Sequence, residues 1–154
     1  MSSQYKPRTL IYACSGCSDV AQLANSVALR LDHAGEAEMS CIAGVGGGVP
    51  GLVRIARSGR PIVAIDGCQM HCASHCLSKA GVIPTEHVKL YENGLRKRRG
   101  QFYDEENIEE VTAEVKGLIA RLPVTPVPKQ RSPQNEGASR WVWPYGALPA
   151  HIGD

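Results

Sequence analysis

The chain has 154 residues, enough for one domain with a real core, and it is 43% hydrophobic and 21% charged. A net charge of +2 excludes the basic footprint of a nucleic-acid or anionic-membrane binder. No apolar run approaches the roughly 20 residues that span a bilayer, and with only 5% aromatics the core is expected to be aliphatic.

The polar opening Met1–Lys6, followed by the short apolar stretch Leu10–Ala13, does not read as a signal peptide, so a cytoplasmic location is expected. Arg8–Ala13 then reads as a buried strand ended by Ser15 and Gly16. Ser18 and Asp19 suit the start of a helix whose apolar face carries Val20, Leu23, Ala24, Val27, Ala28 and Leu31, with Gly35 ending it. Glu38–Ala43 reads as a second strand running into the glycine cluster Gly44–Gly48. Pro50 suits the first turn of a short helix holding Leu52, Val53, Ile55 and Ala56.

Pro61–Ile65 is the strongest strand signal, apolar throughout and so expected to be buried on both faces. Asp66–Gly67 is expected to lead into a helix reaching about Lys79. His87–Glu92 reads as a fourth strand, and Asn93–Gly94 as a hairpin turn to a partner strand at Leu95–Arg99. An amphipathic helix from about Glu105 to Arg121 follows, with Ile108, Val111, Val115, Leu118 and Ile119 on one face.

Repeated strand–helix pairs with short loops imply an α/β fold. The expected form is a mostly parallel, doubly wound sheet, Rossmann-like or flavodoxin-like, of about four strands plus an edge hairpin. Residues 1–121 would form a cysteine-rich α/β domain. Residues 122–154 would form a Pro-rich linker (Pro123, Pro126, Pro128, Pro133) and a tail with the aromatic run Trp141–Tyr145.

Six cysteines in a reducing compartment point to metal or thiol chemistry rather than disulfides. Cys14 and Cys17 follow the first strand, Cys41 the second, and Cys68 the third, with Cys72 and Cys76 beyond it. In an open parallel sheet these positions share the carboxyl edge, where ligands bind. Residues four apart on a helix rise about 6 Å, so Cys68 with Cys72, or Cys72 with Cys76, can share a metal. Cys68 and Cys76, roughly 12 Å apart on a regular helix, do not readily share one zinc. Cys68 is also expected at a helix N-terminus, which favours a thiolate.

Cys14–Ser15–Gly16–Cys17–Ser18, Cys41–Ile42–Ala43–Gly44, Ala64–Ile65–Asp66–Gly67–Cys68 and the following Cys72 resemble the DGC family, zinc-binding proteins named for a central Asp-Gly-Cys. The resemblance spans most of residues 8–95. It implies zinc as the cofactor and Cys14, Cys41, Cys68 and Cys72 as the chelating set, with Cys17 and Cys76 as additional thiols.

Four thiolates suit zinc or an iron–sulfur cluster equally well. The leading reading is therefore a zinc-binding protein in structure, sensing or metal handling. The alternative is an iron–sulfur or reactive-thiol protein in redox or sulfur transfer. No nucleophile–base–orienter arrangement is visible, which favours a binding protein over an enzyme.

His71 and His75 adjoin Cys72 and Cys76 and are solvated, or serve as ligands or as groups that hydrogen-bond the thiolates. Asp66 is expected to cap the helix after it. Gly46–Gly51 fits G-x-G-x-x-G, but it follows the second strand and contains Pro50. It is expected to be a flexible loop closing over the centre or holding a small anion, not a dinucleotide site. Arg96–Lys97–Arg98–Arg99 reads as the solvated face of the hairpin, able to dock an acidic partner. The Trp141–Tyr145 tail is expected to pack on the domain, join a homodimer or dock on another protein.

Overall fold

A computed structural model describes residues 8–123. The expectations for the linker beyond residue 123 and for Trp141–Tyr145 lie outside the described residues. Four parallel strands form one sheet: β1 (Leu10–Ala13), β2 (Glu38–Met39), β3 (Ile62–Asp66) and β4 (Glu86–Lys89), in the order β2-β1-β3-β4. Leu10 stands opposite Glu38 and Ile62, and Ile65 opposite Val88. The central strands β1 and β3 are buried along their whole length, as the apolar runs Leu10–Ala13 and Ile62–Ile65 require, with Asp66 buried at the end of β3.

Strand alternation divides the core into two layers. Ile11, Ala13, Val63 and Ile65 face α1 (Asp19–His33) and α5 (Glu105–Ala120), which contribute Leu23, Val27, Leu31, Ile108, Val111 and Val115. Leu10, Tyr12, Ile62 and Ala64 face the opposite layer of α2 (Ile42–Gly46), α3 (Pro50–Ala56) and α4 (Cys72–Lys79). Each fully buried Leu, Ile or Val is worth about 1.5–3 kcal/mol against exposure, so this two-sided burial dominates the stability. Among the described residues no helix is long and apolar enough to cross a membrane.

Three local expectations are corrected. The second strand is only Glu38–Met39; the chain then turns at Cys41 into α2, which takes in most of the glycine cluster. The glycines allow close packing instead of forming a loop over the edge: a Cβ on Gly44 would lie 2.0 Å from Leu52 Cδ1, and one on Gly46 2.6 Å from Cys76 Sγ. The helix after β3 starts at Cys72, not near Cys68 just after Asp66–Gly67, so Cys68 lies in a turn and is not at a helix N-terminus.

The edge hairpin does not form. After β4 the chain makes a 3-10 turn, Leu90–Asn93, closed by Gly94 at φ +82°. A two-residue hairpin of the I′ type needs positive φ at both central positions, and here Asn93 stays within the turn. The segment beyond is drawn over the start of α1. There the buried Asp19 carboxylate accepts from Arg98 N at 2.7 Å and Arg98 Nε at 2.6 Å, and Ser18 bridges Arg99 antiparallel. The run Arg96–Arg99 is thus exposed, but Arg98 is tied inward.

Ser18 caps α1, its Oγ accepting from Ala21 N at 3.4 Å. Gly67 has no room for a side chain, because a Cβ there would stand 2.6 Å from the carbonyl oxygen of Val20 in α1. Gly67→Ala is expected to cost about 1–3 kcal/mol through overpacking against that backbone, read as a lower midpoint in denaturant unfolding. For Asp19, burial raises the carboxyl pKa. The Arg98 and Val20 amides and the Arg98 guanidinium outweigh it, leaving the folded value below the ordinary 3.8. Its contribution is therefore present above pH 3.8 and lost as pH falls through the folded value. Asp19→Asn is expected to remove that part of the acid transition, measured by unfolding across pH 2–5.

Candidate metal centre at the carboxyl edge

The strand order reverses direction between β1 and β3, and the crevice at such a switch point is where open α/β sheets bind ligands. Cys14 directly follows β1 and Cys68 follows the end of β3, so the two flank that crevice. Cys14 N donates to Ile65 O at 2.9 Å, extending the β1–β3 pairing one residue into the site. Its buried Sγ accepts from Gly67 N at 3.2 Å. The glycine of Asp66–Gly67–Cys68 thus brings β3 close enough to α1 for its amide to reach the Cys14 sulfur.

Burial pushes the Cys14 thiol up from 9.0 to about 11; the Gly67 amide works against this, and the charges of Asp66, Cys72 and Cys68 add to it. Cys68 is half-buried in the turn after β3, and Cys72 is exposed at the first position of α4. Cys41 is exposed at the N-cap of α2, its Sγ accepting from Gly44 N at 3.4 Å. Its charge also opposes ionisation of the buried Tyr12 hydroxyl, a lesser cause beside burial itself. Cys17 is exposed before α1, while Cys76 is half-buried on α4 against Gly46. Among the described residues, no three His, Cys, Asp or Glu side chains stand together as a ready-made metal cage. The sulfurs follow the strand ends at one edge of the sheet, a soft-donor set in chemistry.

A polar network supports this edge. Asp66, 1% exposed, is a cap as expected, but it acts from seven residues upstream: its carboxylate accepts from Ala73 N at 2.9 Å and Ser74 N at 3.1 Å. The same carboxylate meets His87 Nε2 of β4 at 2.9 Å. His71 Nε2 pairs with Tyr91 Oη at 2.8 Å, their rings stack at 5.7 Å, and His87 packs edge-on to His71 at 5.0 Å. His75 is exposed on α4. Sequence reasoning singled out Asp66 and His71 but missed His87 and Tyr91. The available signal was His87 itself, a polar side chain in a strand paired with the buried Ala64.

Fold and site together define an α/β protein of flavodoxin-like strand order with its cysteines gathered at the carboxyl edge of the sheet. The chain belongs to the DGC domain family, whose profile matches residues 10–115. It is 58% identical over 113 residues to the anaerobic and virulence modulator AnvM of Pseudomonas aeruginosa, covering 73% of this chain and 86% of that protein. No solved structure matches the chain significantly.

The thiols differ in environment, and alkylation at neutral pH is expected to follow the difference. Cys17, Cys41 and Cys72 should react first in the metal-free protein and Cys14 last, as read by mass mapping. Above pH 9 the unfolded Cys14 thiol ionises while the folded one stays protonated until about 11. Stability is therefore expected to fall across that window, and Cys14→Ala should flatten the fall.

Proposed function

We propose that this chain is a regulatory protein that works through a metal held by cysteine thiolates, with zinc as the ion. The observation that carries the reading is that Cys14 follows β1 and that Cys68 and Cys72 follow β3, at the switch point, where the Cys14 sulfur accepts a hydrogen bond from Gly67 N–H. The Gly67 N–H favours the thiolate form that a metal needs, against the burial that keeps Cys14 protonated. Cys14, Cys41, Cys68 and Cys72 would hold the ion, which would cross-link the ends of β1, β2 and β3. Asp66 serves the site by fixing the start of α4, and with it Cys72. Similarity to a protein named as an anaerobic and virulence modulator supports a regulatory role over a catalytic one. In this role metal occupancy or the redox state of the thiols sets the conformation of the edge.

A second reading is favoured by the exposure of Cys17 beside this edge. An iron–sulfur cluster or reactive thiols would then respond to oxidants or carry sulfur, with Cys17 or Cys76 open to alkylation and the other four protected.

Metal content and the visible spectrum of protein purified without oxygen separate the two. The expected result is about one colourless zinc per chain, lost on Cys68→Ser. Iron with acid-labile sulfide and a brown colour would replace zinc by the cluster. A chain that takes up no metal would leave the thiols themselves as the functional groups.

A further inference from the structure

One carboxylate fixes both ends of the segment that carries Cys68 and Cys72. Asp66 ends β3, and across the turn it accepts the first free amides of α4 at Ala73 and Ser74. Between these anchors the chain must reverse, and it does so at His71, with φ +47° and ψ +44°. His71 is the only non-glycine residue with positive φ among the described residues. Its amide donates to Cys68 O at 3.2 Å and its carbonyl accepts from His75 N at 2.8 Å. This one backbone conformation therefore joins the Cys68 turn to the first turn of α4, and Cys72 is the next residue.

A left-handed turn alone does not call for histidine: glycine takes it without strain and asparagine at little cost. What histidine adds is reach. Its ring lies on Tyr91, in the turn after β4, with a 2.8 Å hydrogen bond between Nε2 and Oη and stacking at 20° between planes. His87, held by Asp66, packs edge-on against the same ring at 5.0 Å. Such a conformation persists only where surrounding contacts hold it.

We propose that His71 and Tyr91 are positioning residues: a clasp, anchored on the β4 side, that holds the strained turn placing Cys72 at the metal-holding edge. The clasp stands on geometry alone, while its effect on a bound metal rests on the reading of the edge as a zinc site. Without the clasp the turn relaxes, Cys72 moves away from Cys14 and Cys68, and a metal held between them leaves faster.

The test uses the full chain with Tyr91→Phe, His71→Gly and the double variant. Two readouts are taken: amide hydrogen exchange over residues 67–74, with and without zinc, and the rate of zinc loss to a chelator. Tyr91→Phe is expected to raise exchange in 67–74 and to speed zinc loss about three- to tenfold, the equivalent of one neutral hydrogen bond. Exchange in β1 and β3 should stay unchanged. Adding Tyr91→Phe to His71→Gly should change nothing further, because the imidazole it acts through is already gone.

Additive effects of the two changes would overturn the proposal, as would unchanged exchange in 67–74. Faster exchange with unaltered zinc loss would also overturn it, since Cys72 would not then depend on the turn. If the chain takes up no zinc, the zinc reading fails, and exchange in the metal-free variants alone decides the clasp.

Discussion

A carboxylate with 1% exposure at the end of a central strand must find partners, because an ionised group buried alone costs far more than any nearby packing gains. Asp66 finds three: two amides of α4 and the His87 ring of β4. Those contacts set where α4 begins, how the turn between Asp66 and Cys72 is closed, and which face of β4 meets the site. A helix N-terminus capped from its own preceding residue would place Cys72 by local geometry. One capped from the end of β3 places it relative to the sheet, and so relative to Cys14. The position of Cys72 relative to the sheet therefore follows from the partners of one buried carboxylate.

The glycine beside it works in the opposite sense, through what it leaves out. With no Cβ, Gly67 lets the end of β3 come against the backbone of α1 at Val20. That approach brings its amide to the Cys14 sulfur. Asp66 and Gly67 thus organise two sides of one crevice, the aspartate toward α4 and β4 and the glycine toward α1 and β1. Cys68, the third member of the motif, stands in the turn they define. The three-residue signature of the family has a physical basis here: a charge that needs partners, a gap that excludes a side chain, and a sulfur delivered between them.

The site is also set against easy ionisation at its most buried member. Burial holds Cys14 as a thiol at neutral pH, while Cys17, Cys41 and Cys72 are open to solvent. The sulfurs of this edge therefore differ in their access to solvent and to reagents.

Periodicity in the sequence determined the parallel α/β architecture, the buried β1 and β3, the apolar faces of α1 and α5, and the location of the cysteines after strands. Each of these follows from patterns within a few residues, where the spacing of apolar side chains alone decides which face is buried. Three features depended on partners distant in the chain. Asn93–Gly94 has hairpin chemistry, but Asp19, far upstream, claims Arg98 and draws the would-be strand across α1. The glycine cluster looks like a loop, but α3 and α4 press on it and it packs as a helix. Residues 68–71 look helical, but the Asp66 carboxylate caps α4 only from Ala73 onward, and His71 bends the chain against Tyr91. Local propensity cannot register a buried charge or a missing Cβ until folding brings its partner within a few ångströms, and those long-range contacts decided the geometry of the site.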